Sequence, residues 1–142
     1  MQNEYICHCG LYCENCAVKS RVEPASKQLY TEMQKAGFED IINFIPDGEA
    51  FWRFLKSVAE DGACISCKAG SGNPGCKVRA CATEKGIELC ALCPDYPCDK
   101  FPEFFAGYPI LRDDNELLRT QGFDAWARLQ DDRHTSGFSY TD

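Results

Sequence analysis

Apolar positions along this chain recur at helical spacing, in short segments separated by loops rich in cysteine. From Pro24, the stretch PASKQLYTEMQKAG places Leu29, Met33 and Ala36 at i, i+4 and i+7, on one face of a helix. Pro24 suits the first turn of that helix, and Gly37 fits just past its end. EDIINFI predicts a short second helix that stops before Pro46. Asp47 offers an N-cap to GEAFWRFLKSVAED, where Phe51, Phe54, Leu55 and Val58 form an apolar face and Gly62 marks the end.

Residues 62–76, rich in Gly, Ser, Asn and Pro, predict a loop. A short helix follows from about Lys77 to Lys85, ended by Gly86, and residues 87–98 return to loop with Pro94 and Pro97 fixing turns. In DKFPEFFAG, Pro102 allows a helix only if it starts near Phe101. Two more helices are predicted over about 110–121 and 123–133, broken at Gly122. Leu111, Leu117, Leu118, Phe123, Trp126 and Leu129 supply their apolar faces. The tail from His134 onward is polar and reads as loop. No run alternates with period two over the length of a strand. The class predicted is mostly α, a small helical domain with long cysteine-rich metal-binding loops and little or no β. It reads as a single domain over 1–142, with the cysteines in 1–105 and a C-terminal helical arm in 106–142.

Composition changes this picture at one residue type. The 142 residues hold 11 cysteines and only 2 histidines, a density that signals either a disulfide scaffold or a metal site. The opening MQNEYICHCGLYCENC has neither the basic segment nor the apolar stretch of a secretory leader. No apolar run approaches the ~20 residues that span a bilayer. The expectation is a cytoplasmic protein with no membrane association, whose thiols stay reduced and bind metal. An odd cysteine count also argues against a fully paired disulfide framework. The net charge of −7 disfavours nucleic acid as a partner. Residues 64–86 depart from that balance, with Lys68, Lys77, Arg79 and Lys85 against Glu84 alone, a local +3. Beside Cys67, Cys76 and Cys81 these bases suit donors that offset the charge of a metal–thiolate centre.

The cysteines fall into three clusters: Cys7, Cys9, Cys13 and Cys16; Cys64 and Cys67; and Cys76, Cys81, Cys90, Cys93 and Cys98. Three Cys-x-x-Cys pairs occur, 13/16, 64/67 and 90/93. Two thiolates two residues apart on a tight turn can reach one ion at about 2.3 Å, and two such pairs complete a tetrahedron. The simplest partition has two zinc sites. One draws four ligands from Cys9, Cys13, Cys16, Cys64 and Cys67, and the other draws four from Cys76, Cys81, Cys90, Cys93 and Cys98. Each group holds one thiol more than a tetrahedral site needs, and Cys7 is left over.

The stretch CGLYCENC, a later Cys-x-x-Cys, and then CKVRACATEKGIELCALCPDYPCDKF resemble the cysteine-rich prokaryotic proteins gathered as domain of unknown function 3795. The resemblance spans roughly residues 7–105, with a looser match around Gly122–Trp126. It implies that the motif cysteines are Cys9, Cys13, Cys16, Cys64, Cys67, Cys76, Cys81, Cys90, Cys93 and Cys98, with Cys7 outside the motif. It also implies a bacterial or archaeal cytoplasmic setting and metal binding, and it transfers no activity.

The leading expectation is a zinc-binding protein in which cysteine-ligated metal stabilises the fold, acting as an interaction module for an unknown protein or small-molecule partner. The alternative is an iron–sulfur or redox-active cysteine protein, which four thiolates also suit, although only Cys9, Cys13 and Cys16 approach a ferredoxin-like run. A zinc-dependent enzyme is the second alternative. It lacks histidine ligands beyond His8 and has Glu14 as its only nearby carboxylate, so no catalytic residue is assigned. The loop KAGSGNPGC at 68–76 lacks the Gly-Lys-Ser/Thr ending of a phosphate-binding loop and reads as a spacer. Tyr96, between two prolines' turns, is expected to pack over the cysteine loop.

Overall fold

A computed structural model describes residues 3–142. Among these residues there are seven α-helices and no strand. They are α1 (Glu23–Lys35), α2 (Phe38–Ile41), α3 (Gly48–Asp61), α4 (Lys77–Glu84), α5 (Pro102–Gly107), α6 (Ile110–Gln121) and α7 (Phe123–Thr135). The mostly helical class and the break at Gly122 follow the sequence pattern. The chain divides into two compact units: unit 1 comprises Met1–Cys16 and Ile65–Asp142, and unit 2 comprises Ala17–Cys64.

In unit 2, a π-helical turn at Val18–Val22 leads into α1, which packs against α3. The stripe in contact overlaps the one read from the sequence at Met33, Leu55 and Val58 but is rotated from it. Tyr30, Leu55 and Ala59 are buried, with Met33 and Trp52 packed against them, and the Tyr30 and Trp52 rings lie 4.9 Å apart. Phe51 and Phe54 face solvent, Phe54 at 70% exposure, and so does Leu29. Helix α3 carries apolar residues on most of its circumference, so spacing alone does not say which stripe α1 covers. Asp47 does not cap α3 with its side chain. The Gly48 N–H donates to the Ile45 carbonyl at 2.9 Å, and this tight turn puts Asp47 in the left-handed region (φ 58°). Gly48 is required at this turn because a Cβ there would fall 2.2 Å from the Ile42 carbonyl oxygen.

Unit 1 is built around α4–α7 and the cysteine loops. Ile6, Tyr12, Leu89, Ala91, Leu118 and Trp126 form one apolar cluster, and Cys9, Val78, Phe105 and Leu111 form another. Trp126 is fully buried, edge-on to Tyr12 and stacked on Phe123. An isolated antiparallel bridge pairs Ile6 with Tyr12 and closes the turn between them. The tail after α7 is loop, as its polarity predicts, but it is tied down. Its Tyr140 N–H donates to the Asn15 carbonyl at 3.1 Å, and its Tyr140 hydroxyl accepts from the Tyr12 N–H at 3.1 Å. Residues 106–142 thus share unit 1 with the N-terminal cysteine segment.

Candidate metal centre

The turn from Cys7 to Cys13 is shaped by its backbone. The Cys7 N–H donates to the Leu11 carbonyl at 2.8 Å, and the Gly10 N–H donates to the Cys7 carbonyl at 2.9 Å. Gly10 sits at φ 96°, and a Cβ there would meet the Asn115 side-chain oxygen at 2.1 Å. This close approach lets the buried Asn115 amide donate to the Cys9 carbonyl at 3.0 Å. Asn15 is held in the same way from α7: its amide donates to the Gln130 side-chain oxygen at 3.0 Å and to the Gln130 carbonyl at 3.2 Å. Gln130 in turn donates to Asp114 at 3.1 Å, and Arg133 closes the network with an ion pair to Asp114 at 2.6 Å. The cysteine turn is therefore positioned by polar side chains on α6 and α7.

Two sulfurs meet on this turn, those of Cys7 and Cys13, 3.7 Å apart. Cys7, expected to stand apart, is thus in contact with Cys13. Its proton is held tightly through hydrogen bonding to Cys13 foremost, then to Cys67 and Cys9, and by burial. Cys67 is shifted the other way, lowered to about 6, first by its bond with Cys7 and then by the His8 backbone N–H and the Arg79 charge. Cys9 is likewise lowered, chiefly by Cys7 and with help from the Leu11 N–H.

Cys67 is delivered by the loop 67–76. The Arg79 guanidinium, reaching back from α4, donates to the carbonyls of Cys67 (3.3 Å), Ser71 (2.8 Å) and Asn73 (2.9 Å). The bases expected near the thiols are therefore placed differently from one another. Arg79 pins the loop and acts on Cys67, whereas Lys68 pairs with Glu88 at 3.3 Å. The same loop makes a small turn in which the Gly75 N–H donates to Asn73, consistent with its reading as a spacer.

A second group of thiols lines a cavity. Cys81, Cys90, Cys93 and Cys98 line it, at a volume of about 20 Å³, together with Lys85 and Lys100 and the rings of Tyr96, Phe101 and Phe105. That is room for roughly one water-sized sphere. Cys90 and Cys93 flank a 3-10 turn, with the Cys93 N–H donating to the Cys90 carbonyl at 3.0 Å. Arg119 clamps this turn through the carbonyls of Ala91 (2.7 Å) and Cys93 (3.3 Å). Tyr96 packs as expected: it is buried, its hydroxyl donates to the Arg112 carbonyl at 3.3 Å, and the Arg119 guanidinium lies over its ring. Burial pushes the Cys90 thiol up to about 12, and the neighbouring sulfurs of Cys9, Cys98, Cys81 and Cys93 add to the shift. Several thiolates crowded in a dry site repel one another, and a bound cation relieves that repulsion.

Of the ten predicted ligands, Cys81, Cys90, Cys93 and Cys98 line the second cavity, and Cys13 meets Cys7 on the first turn, where Cys9 and Cys67 act on the Cys7 thiol. Cys76 lies outside the second cavity and caps α4, its sulfur accepting from the Arg79 N–H at 3.5 Å. Cys16 ends the first segment of unit 1, and Cys64 ends unit 2, where its N–H donates to Glu23 at 3.3 Å. No disulfide joins any of the cysteines. His8 Nδ1 lies 2.9 Å from the Glu88 carbonyl, which can only accept, so Nδ1 carries the proton and Nε2 keeps its lone pair. Among the described residues, no group of three or more His, Cys, Asp or Glu side chains stands ready to hold an ion. The sulfurs are gathered as neighbouring thiols. Enclosing a metal requires loss of their protons and side-chain adjustment.

The residues that sequence reasoning missed are the clamps: Asn15, Asn115, Gln130, Arg119 and Tyr140. A signal for one was present, since Asn115 lies at i+4 from Leu111 and near Leu118, a polar residue on the apolar stripe of α6. No helix among the described residues is long and apolar enough to cross a membrane. A family model described as a protein of unknown function (DUF3795) matches residues 5–103. No curated protein and no solved structure matches the chain.

Proposed function

From the premise that this chain belongs to the DUF3795 family, we propose that it is a zinc-binding protein in which cysteine-ligated metal stabilises unit 1. The observation that carries this reading is the small cavity lined by four thiols, Cys81, Cys90, Cys93 and Cys98. Zinc fits this donor set, because soft thiolates in fours suit a tetrahedral ion without redox chemistry. Arg79, Arg119 and Asn115 would hold the cysteine turns in place around the metal, and the metal would supply the charge that lets crowded thiolates coexist. The role proposed for the metal is structural. The apolar residues that unit 2 exposes, Phe44, Phe51 and Phe54 among them, support a second element of the reading, a binding role for an unidentified partner.

Elemental analysis of protein purified without added metal tests the proposal. About two zinc ions per chain are expected. A colourless protein with no metal contradicts the reading, and a brown one absorbing near ~400 nm replaces zinc with an iron–sulfur cluster.

A further inference from the structure

A groove of about 660 Å³ runs between the start of α4 and helix α5, wholly within unit 1. We propose that this groove binds a small organic anion, an aromatic body carrying one carboxylate. The inference goes beyond the metal-binding reading and does not depend on it.

The volume falls in the range of roughly 300–1,000 Å³ that small-molecule sites occupy. The floor is apolar: Val78 is buried beneath the groove, and Phe101, Phe104 and Tyr108 are half-buried along it. The Phe104 and Tyr108 rings lie 5.3 Å apart at a tilt of 40°, and the buried Phe105 braces Phe104 edge-on. Both walls are held by hydrogen bonds. On the α4 side, the Asn73 carbonyl accepts from Arg79 at 2.9 Å and from the Cys76 N–H at 3.2 Å. On the α5 side, the Phe105 N–H donates to the Phe101 carbonyl and the Tyr108 N–H to the Phe104 carbonyl, each at 3.2 Å. A site already formed loses less on binding than one that must be ordered first.

Charge at the rim selects the kind of ligand. Lys77, Lys100 and Glu103 are its ionisable groups, and all three are exposed. Among the described residues, neither lysine forms an ion pair through its ammonium group. The one acid that Lys100 acts on, Asp95, is already paired with Lys85. Two ammonium groups against one carboxylate leave a local +1 in a chain whose net charge is −7. That excess favours an anion over a neutral or cationic ligand. The ring-lined floor favours one with an apolar body, since an inorganic anion would leave it uncovered.

Titration of the isotope-labelled full chain with naphthoate, followed through its amide chemical shifts, tests the proposal. Saturating shifts are expected over residues 73–78 and 100–108, with those of α3 unmoved. The uncharged naphthamide is expected to bind roughly fivefold more weakly, and the double variant Lys77→Gln, Lys100→Gln to weaken naphthoate by a similar factor. Both lysines are exposed, so the double variant is expected to keep the wild-type spectrum outside the groove. Equal affinity for the two probes, or for naphthoate in wild type and double variant, overturns the choice of an anion. Shifts that stay linear up to about 5 mM naphthoate, or that centre on the exposed Phe51 and Phe54 of unit 2, overturn the site itself.

Discussion

Unit 1 and unit 2 bury their interiors with different materials. Unit 2 rests on two helices that meet through Tyr30, Trp52, Leu55 and Ala59, and it leaves Phe44, Phe51 and Phe54 in solvent. Unit 1 buries Ile6, Leu111 and Trp126 completely, and around them it also buries Asn15, Asp114, Asn115 and Gln130. Those polar side chains are costly unless hydrogen-bonded, and the partners of Asn15 and Asn115 are backbone or side-chain groups that position the cysteine turn. The difference teaches that unit 2 is organised chiefly by helical packing. In unit 1, the helices are the frame on which an otherwise irregular thiol loop is fixed.

The sharpest way to break that contrast is to remove one core side chain from each unit. Trp126→Ala is expected to cost about 3–5 kcal/mol and Leu55→Ala about 2–5 kcal/mol. Amide exchange resolved by peptide should assign the first loss to residues 5–13 and 111–118 and the second to α1 and α3. Loss of protection spread equally over both units by either substitution would show that they do not fold as distinct units. Gly10→Ala probes the clamp more narrowly. It forces an L side chain into φ 96° and against Asn115, so a loss of about 2 kcal/mol in chemical unfolding is expected. A neutral outcome would mean that the Asn115 contact does not set the turn. Phe54→Ser should have the smallest effect, within about 0.5 kcal/mol, because its ring is 70% exposed. A loss larger than ~2 kcal/mol would place Phe54 in a core.

Most of the helices were legible, because Pro24, Gly37, Pro102 and Gly122 punctuate the apolar periodicity at or near the element boundaries. The buried faces were less so. Leu29 and Tyr30, or Phe51 and Trp52, differ by one position and satisfy the same period, and only the partner helix decides between them. The cysteine spacing points to two groups of thiols and leaves Cys7 out of both. Sequence distance hides the antiparallel bridge that folds Cys7 back onto Cys13. Asn115 shows as a polar residue on an apolar stripe, but the partners of the clamps are illegible for the same reason: Asn15 and Gln130 are 115 residues apart.

The central claim is that metal held by thiolates maintains unit 1. Its most direct test is amide exchange on the purified full chain before and after zinc is removed by a chelator. The account predicts that residues 5–16 and 88–98 lose protection on chelation while α3 retains it, and that added zinc restores the original pattern. Unchanged protection of both cysteine segments in zinc-free protein would contradict it.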